Sequence, residues 1–468
     1  MPSRLSESVL WDDQRRWYED RATSAWSTGL VPSGVLTGTR TARQYAEMVR
    51  AYVEDSLEDG IIDASEPLFV LDLGAGSGRL GWHLQRELYE LLADVPGAPE
   101  PVVVLTDFSP SILEDWRAHP QAKHLAHALV DADEAGPIKL SDGTVLHALS
   151  NPLIAVASYF FDSLGTDVYE ALGGSLSELH VDLTDSDVGW TVAPVLSYDD
   201  PVLNDVLDAA RRGVRGAFLF PSTSVSVLER LRGVAPGGVL VIAADKAVCH
   251  AVGYDREHVM GLSHDGALSL RVNLHALGCW ARLFGGQALF PTHHDPRLSV
   301  ALLAVPGKTP SALRRLQRAY SEGVSTFGPL AYRAVQSAIV DGEIDLDSAI
   351  AVLKLSCWEP DVVLALEDRL TVEIERASPA LRNELREALP KIAERGFLLD
   401  QRSDLYSTLA RLAVCLGDLR WAVRFLEHSL TVFGHRADTW HNLSVLYSQA
   451  GRANAAAEAK ERSEQLTV

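Results

Sequence analysis

The chain has 468 residues, 47% of them hydrophobic and 22% charged, which is typical of a globular protein of two or three domains and excludes disorder and collagen. The net charge of −21 argues against a duplex nucleic-acid partner, because binding phosphates requires a basic face. Most of the acidity lies in residues 1–307, with 22 Lys+Arg and 41 Asp+Glu. Such a domain can steer a basic substrate by its field, although solubility alone explains negative charge equally well.

No stretch approaches the roughly 18 uncharged apolar residues that a membrane-spanning helix needs, and the first residues lack the apolar core of a signal peptide. The four cysteines lie far apart, without the Cys/His spacing of a zinc site or the framework of a disulfide-rich fold. We therefore expect a cytoplasmic protein with no membrane partner and no metal.

The pattern along the chain predicts three parts. Residues 1–60 are a helical lead-in, with apolar residues at helical spacing between Thr41 and Leu57. Residues 61–306 alternate apolar strands with amphipathic helices, which is the arrangement that builds a parallel α/β sheet. The Pro, Gly and Ser of residues 305–311 are typical of a linker, and residues 307–468 show a helical pattern only.

Pairs of similar residues recur 34 positions apart near the end of the chain, as with Gly417 and Gly451, or Tyr406 and Trp440. Thirty-four residues is the period of tetratricopeptide repeats, in which two antiparallel helices pack together. Residues 403–468 therefore resemble two such repeats. Arrays of this kind suit extended peptides or helices as partners, and terminal repeats also suit contacts between two copies in a homodimer.

A glycine cluster follows the first predicted strand, LFVLDL, and opens a long helix. Backbone N–H groups at such a helix start are available to a ligand, and glycines let the ligand approach closely. The form D-x-G-x-G-x-G resembles motif I of class I S-adenosylmethionine-dependent methyltransferases. This resemblance implies a site for that cofactor at Asp72, Gly74, Ala75, Gly76 and Gly78. The alternative is a tight turn without a ligand.

The second and third strands end in further acidic residues. Asp107, followed by Phe108, ends VVVLTD, where such methyltransferases place a carboxylate that accepts both ribose hydroxyls. Asp131, followed by Ala132, stands where an acidic side chain commonly accepts from the adenine amino group; Asp133 is an alternative for that role.

Four later segments resemble the MidA-like methyltransferases, the family of the mitochondrial complex I assembly-factor arginine methyltransferase. They are IAVASYFFDSL (154–164), FPSTSVSVLERL (220–231), GGVLVIAAD (237–245) and HDGALSLRVNLHAL (264–277). The resemblance covers residues 65–305. It implies an α/β fold with a seven-stranded class I methyltransferase (Rossmann-like) sheet and a helical insertion, here followed by an all-α repeat domain.

The same resemblance implies methyl transfer from S-adenosylmethionine to a nitrogen of a protein or peptide, with arginine as the acceptor in the best understood branch. Ser158 is expected beside the cofactor. Asp162 is expected to bind or deprotonate the acceptor nitrogen, or else to cap a helix, and His264 is a further candidate for proton transfer. Tyr159 stands where the family has a glutamate, so a carboxylate that pairs with a guanidinium is absent. Tyr159 is itself a catalytic candidate, because it can stack on a planar acceptor group or donate a hydrogen bond to it.

Two other functions remain open. The first alternative is a methyltransferase-fold scaffold that has lost transfer, which Tyr159 favours. The second is a small-molecule methyltransferase whose repeats only mediate dimerisation.

An aromatic and arginine cluster lies between Trp11 and Arg21. It either closes over the ligand or packs as an ordinary helix, and the sequence favours packing.

Overall fold

The computed structural model describes residues 3–28, 30–31, 34–184, 187–256, 270–342, 344–398 and 404–467. The chain divides into two compact units, one of residues 1–37 with 41–330 and one of residues 38–40 with 331–468. Within the described residues no helix is both long and apolar enough to cross a membrane.

The first unit is built on a seven-stranded sheet in the order β14-β15-β11-β6-β1-β2-β3. Six strands run in one direction, and only β15 of this sheet runs against them, so it pairs antiparallel with both β11 and β14. The prediction of a seven-stranded, mostly parallel α/β sheet is confirmed. The strands are β1 (Leu68–Leu73), β2 (Pro101–Asp107), β3 (Ala126–Leu129), β6 (Leu153–Ser158), β11 (Gly238–Asp245), β14 (Gln287–Leu289) and β15 (Ser299–Pro306).

Both faces of this sheet are covered, as expected for parallel strands with continuous apolar sequences. In β11 every residue is buried. Val239 and Val241 join the hydrophobic core on one face, whereas Leu240 and Ile242 join the core on the other. This alternation follows the two-residue period of a strand.

Helices supply the two layers that cover the sheet. The second core is closed in part by the long helix α4 and by α5, through side chains such as Tyr45 and Leu84. The helices of the first unit are α1 (Val9–Arg21), α2 (Ser24–Ser27), α3 (Gly34–Thr37), α4 (Thr39–Glu58), α5 (Arg79–Leu92), α6 (Pro110–Ala118), α7 (Pro201–Ala210), α8 (Ser222–Val234), α9 (Leu274–Leu283) and α10 (Arg314–Tyr320).

The segment inserted between β6 and β11 contains the expected helices α7 and α8, together with a four-stranded antiparallel sheet that the sequence analysis did not predict. Its order is β10-β7-β8-β9, and Gly173-Gly174, both at positive φ, joins β7 to β8 in the two-residue turn that suits a hairpin. The strands are β7 (Asp167–Leu172), β8 (Ser175–Thr184), β9 (Asp187–Ala193) and β10 (Gly216–Phe220). Short pairs elsewhere are β4 (Ile138–Lys139) with β5 (Val145–Leu146), and β12 (Ala247–Val248) with β13 (Val272–Asn273).

The second unit is helical throughout its described part. Helix α16 begins at Leu419 and α18 at Ala453, which reproduces the 34-residue period, and Gly417 and Gly451 take the same left-handed conformation. Assignment to the tetratricopeptide family stays a prediction. The helices are α11 (Pro329–Asp341), α12 (Leu346–Leu355), α13 (Pro360–Arg376), α14 (Pro379–Glu394), α15 (Leu405–Cys415), α16 (Leu419–Phe433), α17 (Ala437–Gln449) and α18 (Ala453–Thr467).

Helix α10 lies beyond the predicted linker and packs into the first unit. Leu316 is 1% exposed in the core that covers the sheet, and the Tyr320 hydroxyl donates to the Val300 carbonyl at 2.7 Å. The boundary between the first and the second compact unit thus falls after residue 330. The bounds at 60 and 306 that the sequence suggests stay predictions.

We predict that Leu316→Ala lowers the free energy of unfolding by about 2–5 kcal/mol, because it opens a cavity in a closed core. Urea denaturation of the full chain measures this change. Arg318→Ala, on the exposed face of the same helix, is the control and should stay within about 0.5 kcal/mol of the wild type. Equal effects from the two substitutions would contradict the packing of α10.

Candidate functional site

The glycine turn lies between β1 and α5, as predicted. The structure explains why glycine is needed at its positions. Gly74, Gly76 and Gly78 all have positive φ, a conformation that other residues adopt at a cost. A Cβ at Gly76 would lie 2.4 Å from Cζ2 of Trp26, so any side chain there would force this indole to move. The turn is therefore closely covered by a ring from the N-terminal segment.

Asp72 and Asp107 lie at the carboxyl ends of the neighbouring strands β1 and β2, and both are buried. Asp107 accepts backbone N–H groups from Ser109 at 3.2 Å and Gly76 at 3.3 Å. Oδ2 of Asp72 is buried and has no hydrogen-bond partner of standard geometry among the described residues. The two carboxyl groups thus offer oxygen acceptors beside the glycine turn.

Burial raises the pKa of both groups. The pKa of Asp72 rises to about 7, chiefly because its charge is desolvated; the nearby Gly81 N–H offsets part of the rise and the Asp107 carboxylate adds to it. The pKa of Asp107 rises to about 6 for the same main reason, reduced by the backbone N–H groups that it accepts. A donor or a cation in this place would stabilise the ionised forms.

Asp131, predicted to bind adenine, is paired with Arg15 instead of standing open. Nη1 and Nη2 of Arg15 lie 3.0 and 2.5 Å from Oδ1 and Oδ2 of Asp131, and this contact lowers the pKa of the carboxyl group. The Arg15 guanidinium also lies over the Phe108 ring, 4.6 Å from its centroid. Ala132 and the alternative residue Asp133 line the cavity described below.

A second acidic pair lies where β6 and β11 end. The backbone N–H of Asp162 donates to Oδ2 of Asp245 at 3.2 Å, and both side chains are buried. Burial, and then the neighbouring Asp162 carboxylate, raise the pKa of Asp245 well above its ordinary value. Tyr159, at φ 52°, is held by a backbone bond from its N–H to the Ala244 carbonyl at 2.8 Å. Sequence reasoning did not include Asp245 in the site, because its neighbours lie about 80 residues away.

Helix α1 contributes a third wall, although the sequence favoured simple packing for this segment. Trp11, Gln14, Arg15 and Tyr18, spaced by three and four residues, face one cavity. The Gln14 amide is buried, and neither Nε2 nor Oε1 has a hydrogen-bond partner within the described chain. Burial raises the pKa of Tyr18, as does the Asp162 carboxylate, while a hydrogen bond with Ser163 offsets part of the rise.

These walls enclose a cavity of about 360 Å³, within the usual range of cofactor and substrate sites. It brings together most of the predicted residues and adds Lys246 and the side chains of α1. His264 falls in a segment outside the described residues. The predicted residues that line it are Asp72, Gly74, Ala75, Asp107, Phe108, Ala132, Ser158, Tyr159 and Asp162. In the described part of the chain, no group of three or more His, Cys, Asp or Glu side chains is arranged to hold a metal ion.

No protein-family model matches the chain, and no curated protein matches it. An uncharacterized COG1565 superfamily protein from Burkholderia thailandensis is similar in structure, with a TM-score of 0.39 and 12% identity over 65% of this chain and 95% of that one. A COG1565 superfamily member from the same organism, bound to S-adenosyl-homocysteine, has a TM-score of 0.35 and 13% identity over 60% and 79%. At this level of similarity, function has to be argued from the chain's own residues.

We predict that Asp72→Asn stabilises the protein more at pH 8 than at pH 6. The folded-state pKa of about 7 lies above the unfolded value of 3.8, so Asp72 lowers the free energy of unfolding as the pH rises from about 4 through about 7. Asparagine cannot ionise, so the variant does not lose this free energy of unfolding as the pH rises. Its gain in melting temperature over the wild type should therefore be about 3 °C larger at pH 8 than at pH 6. Calorimetry at both pH values measures the difference, with the exposed Asp94→Asn as control. Equal gains at both pH values would show that Asp72 does not titrate in this range.

We also predict that Gln14→Met raises the melting temperature by about 2–4 °C, because a buried amide without partners costs free energy that a thioether of similar length does not. Gln85→Met is the matched control. Its amide donates to the Pro101 carbonyl at 2.9 Å and accepts from Val103 N–H at 2.7 Å, so the substitution should destabilise. A loss of stability at Gln14 as large as at Gln85 would mean that the Gln14 amide is bonded.

Proposed function

We propose that the protein is an S-adenosylmethionine-dependent methyltransferase acting on a nitrogen of a protein or peptide, with its helical repeats binding the partner. The observation that carries the proposal is the pair of buried carboxyl groups, Asp72 and Asp107, at neighbouring strand ends around a glycine turn. In open α/β sheets, ligands bind beyond the carboxyl ends of the strands, where these groups lie.

The residues present fit this cofactor. Asp107 would accept from the ribose hydroxyls, because each carboxylate oxygen keeps a lone pair beyond its backbone N–H bond. Oδ2 of Asp72, which makes no hydrogen bond of standard geometry among the described residues, would accept from the ammonium group of the methionine part. The glycine turn would let the ligand approach the backbone. When bound, the cofactor supplies a methyl group on a positively charged sulfur.

The acidic pair at the ends of β6 and β11 supports a nitrogen acceptor. Methyl transfer needs an uncharged nucleophile aligned with the methyl group, and a place for the proton that the nitrogen gives up. Asp162, which lines the cavity, would hold the acceptor nitrogen and take the proton that it gives up, while the cofactor would supply the methyl group. The adjacent Asp245 accepts the backbone N–H of Asp162, and burial together with the Asp162 carboxylate raises the pKa of Asp245.

Tyr159 supports a second candidate, a methyltransferase-fold scaffold without transfer activity. This tyrosine replaces the glutamate of the resembling family, and its backbone is fixed in the left-handed conformation. A guanidinium would thus lack one carboxylate partner. Arginine is therefore one acceptor among other nitrogen groups in this proposal.

We predict that the purified protein binds S-adenosyl-homocysteine in the micromolar range and that Asp107→Ala weakens binding at least 100-fold. Truncating the carboxyl group leaves two ribose hydroxyls without a partner at a buried site, which costs about 1–3 kcal/mol for each group. Isothermal titration calorimetry measures the affinity. Asp94→Ala, an exposed acidic residue of the same unit, is the control.

Binding that Asp107→Ala leaves intact would overturn the site assignment. No binding by the folded wild type would favour the scaffold. Transfer is then examined with radiolabelled S-adenosylmethionine and a peptide library, in which incorporation by the wild type but not by Asp162→Asn supports the enzyme.

A further inference from the structure

The inner face of α1 carries the only arginine among the residues that line the described cavity. On a helix of 3.6 residues per turn, Trp11 and Tyr18 lie at the centre of this face, and Gln14 and Arg15 lie on its two flanks. Arg15 points towards the ends of β2 and β3. Its neighbour Arg16 lies on the outer surface, where it pairs with Asp13 and is 68% exposed.

Arg15 makes two contacts at once at this end of the cavity. Its guanidinium covers the Phe108 ring with 4.6 Å between the guanidinium carbon and the ring centroid, and its two terminal nitrogens grip both oxygens of Asp131. Asp133 adds a weaker ion pair at 3.6 Å. The planar guanidinium of Arg15 is thus stacked on the Phe108 ring and hydrogen-bonded along its edge by Asp131.

An adenine ring would bind the same two kinds of group, an aromatic ring such as Phe108 and a carboxylate such as Asp131. It is flat, it stacks on an aromatic face, and its amino group donates to an oxygen at its edge. The guanidinium group is also flat, with N–H donors at its edge. Under the proposed function, Phe108 and Asp131 lie beside the ribose-binding Asp107, so both partners of the adenine ring are already taken by Arg15.

We propose that Arg15 competes with the adenine ring of the cofactor for Phe108 and Asp131, and that it must swing out before the cofactor binds fully. This inference rests on the proposed function.

The helix itself does not have to move. Helix α1 is anchored by a hydrogen bond from Trp11 Nε1 to the Leu5 carbonyl at 2.8 Å, and Thr23 just beyond its end donates to Asp115 at 2.6 Å. The Arg15 side chain is 36% exposed, so its long stem has a route into solvent. The Arg15 side chain therefore leaves Phe108 and Asp131 while α1 stays in place, and the free energy needed to break these contacts lowers the affinity for the cofactor.

The test is calorimetric titration of S-adenosyl-homocysteine into the full-length wild type, Arg15→Ala and Arg15→Gln. A partly exposed ion pair together with a cation–π contact is weak, so its removal should tighten binding about tenfold. Arg16→Ala is the control and should leave affinity unchanged. Raising the salt concentration from about 50 to 300 mM should narrow the gap between wild type and Arg15→Ala, because salt screens the competing ion pair.

Equal or weaker binding by both Arg15 variants would overturn the competition, and weaker binding would make Arg15 a ligand contact instead. Arg15→Gln keeps the length of the side chain, so it reports on charge even where the alanine variant is unstable. Absence of binding by the wild type and by all variants would overturn the proposed function, and this inference with it. Binding by the wild type that Arg15→Ala leaves unchanged would overturn this inference alone.

Discussion

The burial of two carboxyl groups at the ends of β1 and β2 is the constraint on which the rest of the site depends. A desolvated carboxylate is costly, and Asp72 and Asp107 also repel each other when both are charged. Asp107 is stabilised by N–H groups of the turns that follow the two strands. Oδ2 of Asp72 has no hydrogen bond of standard geometry among the described residues, and the nearby Gly81 N–H offsets only part of its desolvation, so the pKa of Asp72 rises to about 7. Protonation near neutral pH then lowers the cost of burying this group.

The same acidic edge contacts the N-terminal helix. The strand ends and the loops beyond them present Asp107, Asp131, Asp133 and Asp162, and Arg15 of α1 pairs closely with Asp131 and more weakly with Asp133. The aromatic side chains of α1 and α2 then close the cavity, with Tyr18 stacked on Trp26 at 5.8 Å and Trp26 against Gly76. Hydrogen bonds of Trp11 and Thr23 hold the helix in place, the ion pair of Arg15 adds a contact to the loop beyond β3, and the rings of α1 and α2 cover the glycine turn.

The parts of this arrangement that lie close together in sequence were predictable. The strand, turn and helix around Gly76, and the acidic residue that ends β2, follow from hydrophobic patterns and glycine spacing. For α1 the sequence offered closure over a ligand as well as packing, and it favoured packing. The cavity-facing side of α1 mixes Trp11 and Tyr18 with Gln14 and Arg15, so no apolar period marked this side. The partner of Arg15 is 116 residues away. The antiparallel sheet of the insertion was missed as well, although Gly173-Gly174 was a usable hairpin signal.

The loop after β6 connects the two halves of the cavity. Tyr159 at positive φ turns the chain so that Phe160 lies against the glycine turn, where a Cβ at Gly74 would come within 2.9 Å of its ring. Strain of this kind persists only where the surroundings hold it, here through the bond of Tyr159 to β11. The next residues of the loop place Asp162 beside Asp245, whose Oδ2 accepts the Asp162 backbone N–H. Phe160 thus packs against the glycine turn only two residues before Asp162, so the position of this loop depends on contacts with the turn after β1 and with the end of β11.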